Sequence, residues 1–231
     1  MKLDILVIGA HADDAEIGMA GTIAKHAAAG LAVGICDLTA AEMSSNGTVE
    51  SRKEEARHAA EVLGVVMRSN LGLPDRGLRT SEEQIAAVTA EIRRCSPSIV
   101  FAPYPEDRHP DHVACGRIVE EAVFNAKLRR YMPDVPAIPA PQLYFYFIND
   151  LGRTDLLVDV TGSYGLKEAS LSCYVSQFQK TPGADIVSTP LNDGYIERVR
   201  ARDMLLGQRK GFIYAEGFAS KLPFAVDLFR V

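Results

Sequence analysis

The sequence predicts an α/β protein, a Rossmann-like three-layer αβα fold with a mostly parallel sheet and a smaller C-terminal extension. Short apolar segments rich in β-branched residues alternate with longer segments that have helical periodicity. The apolar segments lack period-two alternation, which is typical of strands covered on both faces. The helical segments between them are long enough for right-handed crossovers between parallel strands.

The elements of the first half follow in the order β-α-β-α. Four strands are predicted, over residues 3–9, 31–39, 65–71 and 98–103. Four helices are predicted, over residues 17–29, 50–63 and 81–95 and from about residue 110. Gly30 and Gly64 end the first two helices, Ser81 is placed to cap the third, and Pro110 suits a first helical turn.

A proline-rich tract divides the chain. Residues 131–142 hold four of the twelve prolines. We expect residues 1–130 to form the Rossmann-like core and residues 131–231 to form a C-terminal portion of the same domain that completes the sheet and a substrate pocket. In that portion we expect strands over residues 143–148 and 155–160, a helix over 190–210, and edge structure from 212–220 and 224–231.

Composition favours small-molecule ligands. The 231 residues carry a formal net charge of −5, so there is no global basic field to attract nucleic acid or a membrane surface. The four cysteines are far apart and form no CxxC pair, which indicates free thiols in a reducing cytoplasm. No leader sequence or apolar stretch of membrane-spanning length is present, so a cytoplasmic location is expected.

Ionisable residues follow two of the predicted strands. The first strand is followed by "GAHADDAEIG", and the fourth leads into "EDRHPDH". In the common doubly wound order these strands are neighbours at the point where the winding reverses, and ligands bind beyond their carboxyl ends. Three of the five histidines, His11, His109 and His112, are therefore expected in one crevice.

A metal ion fits this crevice better than a dinucleotide. The first turn lacks the G-x-G-x-x-G spacing, and Asp13 and Asp14 would repel a pyrophosphate at the helix start. Alone, the two aspartates could complement the helix dipole, and His11 could be an ordinary core histidine. Together, two histidines and a carboxylate are a typical three-ligand zinc set that leaves a position for water.

The motifs "AHADD" and "HPDH" resemble those of the LmbE-like (PIG-L type) zinc-dependent N-acetylglucosaminyl deacetylases, which carry A-H-P-D-D and H-P-D-H. The resemblance covers most of the chain. It is strongest to the branch that deacetylates N-acetylglucosaminyl-malate in bacillithiol biosynthesis, on segments that include "LGLPDRGL", "YFYFIND" and "YAEGF".

The resemblance implies a set of metal ligands and a general base. His11, Asp14 and His112 would hold Zn²⁺, with Fe²⁺ as an alternative ion. Asp13 would take a proton from the attacking water and pass it to the departing amine. Ala12 replaces the usual proline of the motif, a change that should loosen the turn without removing a ligand.

Further residues are carried over from the same resemblance. His109 would stabilise the oxyanion, with Asp111 orienting its imidazole. Arg52 and Asp75 match positions that contact sugar, although by themselves they would indicate a solvated helix face and a turn residue. Arg108 is the first candidate for a contact to the malate carboxylates, because arginine offers a planar fork of donors.

The sequence thus predicts a metal-dependent hydrolase that removes acetate from N-acetylglucosaminyl-malate. Arg76 is a second candidate carboxylate contact, and Tyr195 and Tyr214 are candidate pocket residues. One alternative is a deacetylase of another acetylated sugar, such as a chitooligosaccharide or a mycothiol precursor. Another is a non-catalytic metal- or nucleotide-binding module, against which Asp13 argues. The resemblance also implies a homo-oligomer built from trimers, up to a hexamer.

Overall fold

The computed structural model describes residues 2–180 and 186–223, and its strands form one seven-stranded sheet. The strands are β1 (Ile5–Gly9), β2 (Val33–Thr39), β3 (Met67–Leu73), β4 (Ile99–Pro103), β5 (Gln142–Tyr146), β6 (Leu156–Asp159) and β7 (Ala215–Ala219). Their order across the sheet is β3-β2-β1-β4-β5-β7-β6. The pairings from β3 to β5 are parallel, and β7 is antiparallel to both of its neighbours.

Helices cover both faces of this sheet. They are α1 (Asp14–Ala28), α2 (Val49–Leu63), α3 (Glu82–Cys95), α4 (Pro110–Ala126), α5 (Tyr164–Ser172), α6 (Val175–Phe178) and α7 (Tyr195–Gln208). Alternate residues of β1 enter opposite cores: Leu6 and Ile8 join side chains of α3 and α4, whereas Ile5 and Val7 join those of α1 and α7. The predicted Rossmann-like αβα fold with a mostly parallel sheet is confirmed, as is the adjacency of β1 and β4.

The C-terminal half departs from the sequence prediction in three places. Residues 215–219 form a buried inner strand between β5 and β6, so β6 lies at the edge instead. The predicted 190–210 helix begins only at Tyr195, after Gly194 with a φ of 71°. Helices α5 and α6 were not predicted, since their short segments carry little periodic signal. Residues 224–231 lie outside the described part of the chain.

Helix α1 is interrupted by a kink that the C-terminal half stabilises. Met19 has non-helical backbone angles, φ −154° and ψ 24°. Just beyond it, the backbone amides of Gly21 and Thr22 donate to the two carboxylate oxygens of Glu216 in β7, at 3.0 and 2.7 Å. The carboxylate thereby caps the second segment of α1 at its positive end.

Glu216 is itself neutralised within the core. Lys167 of α5 is fully buried, and its ammonium lies 2.7 Å from Glu216 Oε1 and 2.8 Å from Asp203 Oδ2 of α7. These three charges join β7, α5 and α7 beneath α1.

Strands from both sides of the proline tract share one sheet. The division of the domain into two portions at residues 131–142 stays a prediction. The cytoplasmic location and the homo-oligomer stay predictions as well. Within residues 2–180 and 186–223, every helix is too short or too polar to cross a bilayer.

The contact between α1 and β5 gives a test of this packing. A Cβ at Gly18 would overlap the ring of Tyr146, a fully buried residue whose hydroxyl donates to the Ile8 carbonyl. We expect Gly18→Ala to lower the free energy of unfolding by about 1–3 kcal/mol in urea denaturation, because the ring must move within a packed core.

The control is Gly165→Ala in α5, where a Cβ meets open space. This change should leave stability unchanged or raise it, because alanine favours helix. Equal unfolding midpoints for the two variants would contradict the described contact.

Candidate active site

A tight turn after β1 presents three ionisable side chains. Asp13 has a left-handed φ of 109° and precedes α1. Oδ2 of Asp14 accepts hydrogen bonds from the backbone amides of Ala10 and His11, each at 2.9 Å. The Asp14 carboxylate therefore holds the turn that places His11, Asp13 and Asp14 beyond the carboxyl end of β1.

The loop after β4 brings two more imidazoles to the same place. His109 precedes α4 and Pro110 occupies its first turn. The ring centroids of His11, His109 and His112 lie 4.6 to 5.5 Å apart. His112 Nε2 is 3.1 Å from Asp14 Oδ1, which joins the two motifs directly.

Hydrogen-bond partners assign the ring protons of two histidines. Nδ1 of His112 lies 3.0 Å from Asp107 Oδ1, so it carries the proton when Asp107 is ionised. Nε2 of neutral His112 is then a lone pair facing Asp14 Oδ1. By contrast, Nδ1 of His109 accepts from the Asp111 amide at 3.2 Å, which leaves the His109 proton on Nε2.

This donor set fits a divalent cation. When His112 is neutral, its Nε2 lone pair and Asp14 Oδ1 are two acceptors 3.1 Å apart, an arrangement that requires a proton or a metal ion between them. His11, His109 and His112 can bring their ligand atoms within 4.8 Å of one another, and so can His11, Asp75 and Asp111. Imidazole and carboxylate ligands suit zinc and related ions.

The electrostatics agree with a site that attracts positive charge. Burial lowers the pKa of His112, but Asp14 and the hydrogen bond to Asp107 outweigh it and raise that pKa to about 9. Burial raises the pKa of Asp14, yet His112 and His11 outweigh burial and hold that pKa well below its usual range. His109 differs, because burial and the neighbouring His112 and His11 lower its pKa and favour the neutral ring.

Asp13 is buried beside the Arg52 guanidinium. Asp13 is 5% exposed, and Arg52 Nη2 lies 3.2 Å from its Oδ2. Burial raises the pKa of Asp13 to about 7, partly opposed by Arg52. The same guanidinium donates to the Ala12 carbonyl and lies 5.6 Å from the centroid of the Tyr174 ring. Arg52 is only 2% exposed, so a solvated helix face is excluded, while its predicted sugar contact stays a prediction.

Asp75 and Asp111 occupy the side of His11 away from Asp14. Asp75 Oδ1 is 3.1 Å from His11 Nε2, and its Oδ2 accepts from the Met43 amide. Asp111 Oδ2 accepts from the Arg76 amide at 2.6 Å and lies 3.6 Å from His11 Nε2. Asp111 thus contacts the His109 ring through its backbone amide, and its role in orienting that imidazole stays a prediction.

Residues of both motifs line one cavity of about 420 Å³. His11, Asp13, Asp14, His109 and His112 form one part of the lining. The remaining lining residues are Ile17, Met43, Ser44, Ser45, Asn46, Arg52, Asp75, Arg76, Arg108, Ile148, Asn149, Gln177, Thr189, Pro190, Leu191 and Tyr195. Exposed Arg76 and Arg108 offer cations to a ligand. Tyr214 is outside this lining and stacks on Tyr164 with centroids 3.7 Å apart.

Sequence reasoning missed Asp107 and Asn149. Asp107 stands five residues before His112 in the segment that also supplies His109, and this proximity was the available signal. Asn149 follows β5, whose carboxyl end adjoins that of β4. Its approach to Asp107 depends on strand order, so the sequence alone gave no signal.

Comparison with known proteins assigns the family. A family model described as GlcNAc-PI de-N-acetylase (PIG-L) matches residues 6–123. The chain belongs to the PIG-L family. The resemblance inferred from "AHADD" and "HPDH" is therefore confirmed.

The relatives of this chain differ in their reactions. A diacetylchitobiose deacetylase of Thermococcus kodakarensis is 29% identical over 92% of this chain and 81% of its own. A probable N-acetyl-alpha-D-glucosaminyl L-malate deacetylase 2 of Bacillus subtilis is 30% identical over 77% and 84%. A 4-oxalmesaconate hydratase of Pseudomonas putida is 25% identical over 94% and 89%.

Solved structures agree with the fold. A conserved protein from Thermus thermophilus superposes with a TM-score of 0.89 at 37% identity, covering 99% of this chain and 100% of that one. The N,N'-diacetylchitobiose deacetylase from Pyrococcus horikoshii superposes with a TM-score of 0.82 at 27% identity, covering 93% and 82%.

The ring-proton assignment predicts different effects for two neighbouring histidines. We expect His112→Ala to lose most bound metal, because it removes a lone pair that faces Asp14. His109→Ala should retain metal, because the His109 ring presents an N–H instead. Elemental analysis of protein stripped with chelator, reloaded with zinc and desalted measures both. Metal loss by His109→Ala with retention by His112→Ala would reverse the assignment.

Proposed function

We propose that this protein is a metal-dependent hydrolase that removes the acetyl group from an N-acetylglucosaminyl conjugate, with N-acetylglucosaminyl-malate as the first substrate. The observation that carries the proposal is the convergence of Asp13, Asp14 and three imidazoles in one cavity. Membership of a de-N-acetylase family supports the same reaction.

Three side chains are proposed as the metal ligands. His11, Asp14 and His112 would hold Zn²⁺, and Fe²⁺ is the alternative ion. When bound there, the ion supplies a Lewis acid that polarises the acetyl carbonyl and makes water more acidic. His109 is left out of this set because its lone pair is already used by the Asp111 amide.

Asp13 is proposed to move the proton. It is adjacent to Asp14 in the chain, yet its carboxylate pairs with Arg52 and not with the imidazoles. From this position Asp13 would accept a proton from the attacking water and deliver it to the departing amine nitrogen. Arg52 would hold the carboxylate in place between the two transfers.

His109 is proposed to stabilise the oxyanion. Its Nε2–H remains available for the carbonyl oxygen, since Nδ1 accepts from the Asp111 amide. A neutral imidazole is sufficient for this hydrogen bond. Loss of one such donor costs about 10²–10³ in rate in other hydrolases.

The choice of substrate depends on the exposed arginines. Malate brings two carboxylates, and Arg108 and Arg76 both line the cavity. The Bacillus subtilis relative supports this aglycone, whereas the Thermococcus kodakarensis relative supports diacetylchitobiose as the second candidate at similar identity.

The test is release of free amine by zinc-loaded protein. We expect N-acetylglucosaminyl-malate to be turned over faster than N-acetylglucosamine and diacetylchitobiose, with Asp13→Asn as the inactive control. Faster turnover of diacetylchitobiose would support the proposed deacetylation but would make diacetylchitobiose the substrate in place of N-acetylglucosaminyl-malate. Absence of amine release with zinc and with Fe²⁺ would overturn the proposal. If the same preparation hydrates 4-oxalmesaconate, a hydratase function would replace the deacetylase function.

Arg108→Ala tests the aglycone contact. We expect KM for N-acetylglucosaminyl-malate to rise about 10-fold or more, because a hydrogen bond to a charged group contributes about 1.5–3 kcal/mol. KM for N-acetylglucosamine should not change. Arg130→Ala, at an exposed arginine outside the cavity lining, is the matched control. Equal losses on both substrates would refute the assignment.

A further inference from the structure

Asp107 holds His112 from the side opposite Asp14. Its Oδ1 accepts from His112 Nδ1 at 3.0 Å, from the His109 amide at 2.8 Å and from Asn149 Nδ2 at 2.8 Å. Its Oδ2 accepts from the Asn149 amide at 3.1 Å. The Asp107 side chain is only 4% exposed, so these four donors provide for its charge in place of bulk water.

Asn149 extends this arrangement to the cavity wall. Its Oδ1 accepts a hydrogen bond from the Tyr195 hydroxyl at 2.9 Å. Tyr195 is the first residue of α7 and is 7% exposed. A continuous series of hydrogen bonds therefore runs from α7 through Asn149 and Asp107 to His112.

The direction of each bond in the series is determined. An ionised Asp107 requires a donor from Asn149, which places the Asn149 amide nitrogen toward Asp107 and leaves the Asn149 carbonyl oxygen to accept from the Tyr195 hydroxyl. An ionised Asp107 can only accept, so His112 must donate to it from Nδ1. Reversal of one bond would leave a buried acceptor facing another acceptor.

We propose that Asp107 and Asn149 are positioning residues for the metal centre, which hold the His112 ring with Nδ1 protonated and the Nε2 lone pair directed at Asp14. The inference rests on the proposed role of His112 as a ligand. Tyr195 adds an anchor on α7, so the C-terminal half of the chain helps to set the geometry of a ligand from the N-terminal half. Carboxylate partners of this kind typically change metal affinity 10–100-fold.

Zinc affinity measured by competition with a colorimetric chelator tests the series. We expect Asp107→Ala to weaken zinc binding about 10–100-fold. Asn149→Ala should weaken it less, because Asp107 remains, and Tyr195→Phe should weaken it least, because one outer bond is lost. Asp150→Ala, at the exposed neighbouring acid, is the matched control and should bind like wild type.

A second measurement separates positioning from general destabilisation. In zinc-loaded protein with ¹⁵N-labelled histidine, the His112 Nδ1 proton should exchange slowly with water, and its exchange should be faster in Asn149→Ala. Destabilisation alone would lower the melting temperature without selectively affecting this proton.

The outcomes distinguish this inference from the proposed function. Zinc affinity within twofold of wild type in folded Asp107→Ala would overturn the positioning role, and so would an equal loss in Asp150→Ala. If Asp107→Ala does not fold, Asp107→Asn and Asn149→Ala replace it, and unchanged affinity in both is the overturning result. If zinc affinity falls in the expected order across the variants but the protein deacetylates no sugar, the positioning role is supported and only the proposed deacetylase function is rejected.

Discussion

The arrangement of α1 depends on the hydrogen bonds that the Glu216 carboxylate accepts from the backbone of this helix. This carboxylate accepts from two backbone amides just after the interruption of the helix at Met19, and Lys167 balances its charge in the interior. An unpaired buried charge would cost about 3–5 kcal/mol, so the pair stabilises the kinked helix only when both partners are present. Since α1 begins at Asp14, the helix that Glu216 of β7 stabilises is also the helix that starts within the site.

Within the site, the Asp14 carboxylate likewise accepts hydrogen bonds from two backbone amides. One of its oxygens accepts from the amides of Ala10 and His11, and the other faces His112. The same carboxylate therefore shapes the turn after β1 and connects it with the first turn of α4. Asp13, its neighbour in the chain, is directed instead to Arg52. Two adjacent acids thus acquire separate environments, which is the condition for separate roles in acid–base chemistry.

The cavity combines side chains at the ends of packed elements with side chains from loops. His11, Asp13, Asp14, His109 and His112 lie in the turn after β1 or at the start of α4, whereas Asp75, Arg76, Arg108 and residues 189–191 come from loops. Loop residues can change with little effect on the packed sheet. Two of the relatives are named as deacetylases and one as a hydratase, so family membership alone determines neither the reaction nor the substrate.

The sequence by itself determined the Rossmann-like fold, the adjacency of β1 and β4, and the two motifs, because these depend on local apolar patterns and on the chirality of crossovers. It did not reveal the inner position of β7, the burial of Arg52 beside Asp13, or the series from Tyr195 to Asp107. Each of these depends on contacts between residues distant in the chain, whose geometry is decided only when helices and strands pack. Local periodicity carries no information about such pairs, so tertiary structure alone decided how the site residues are held.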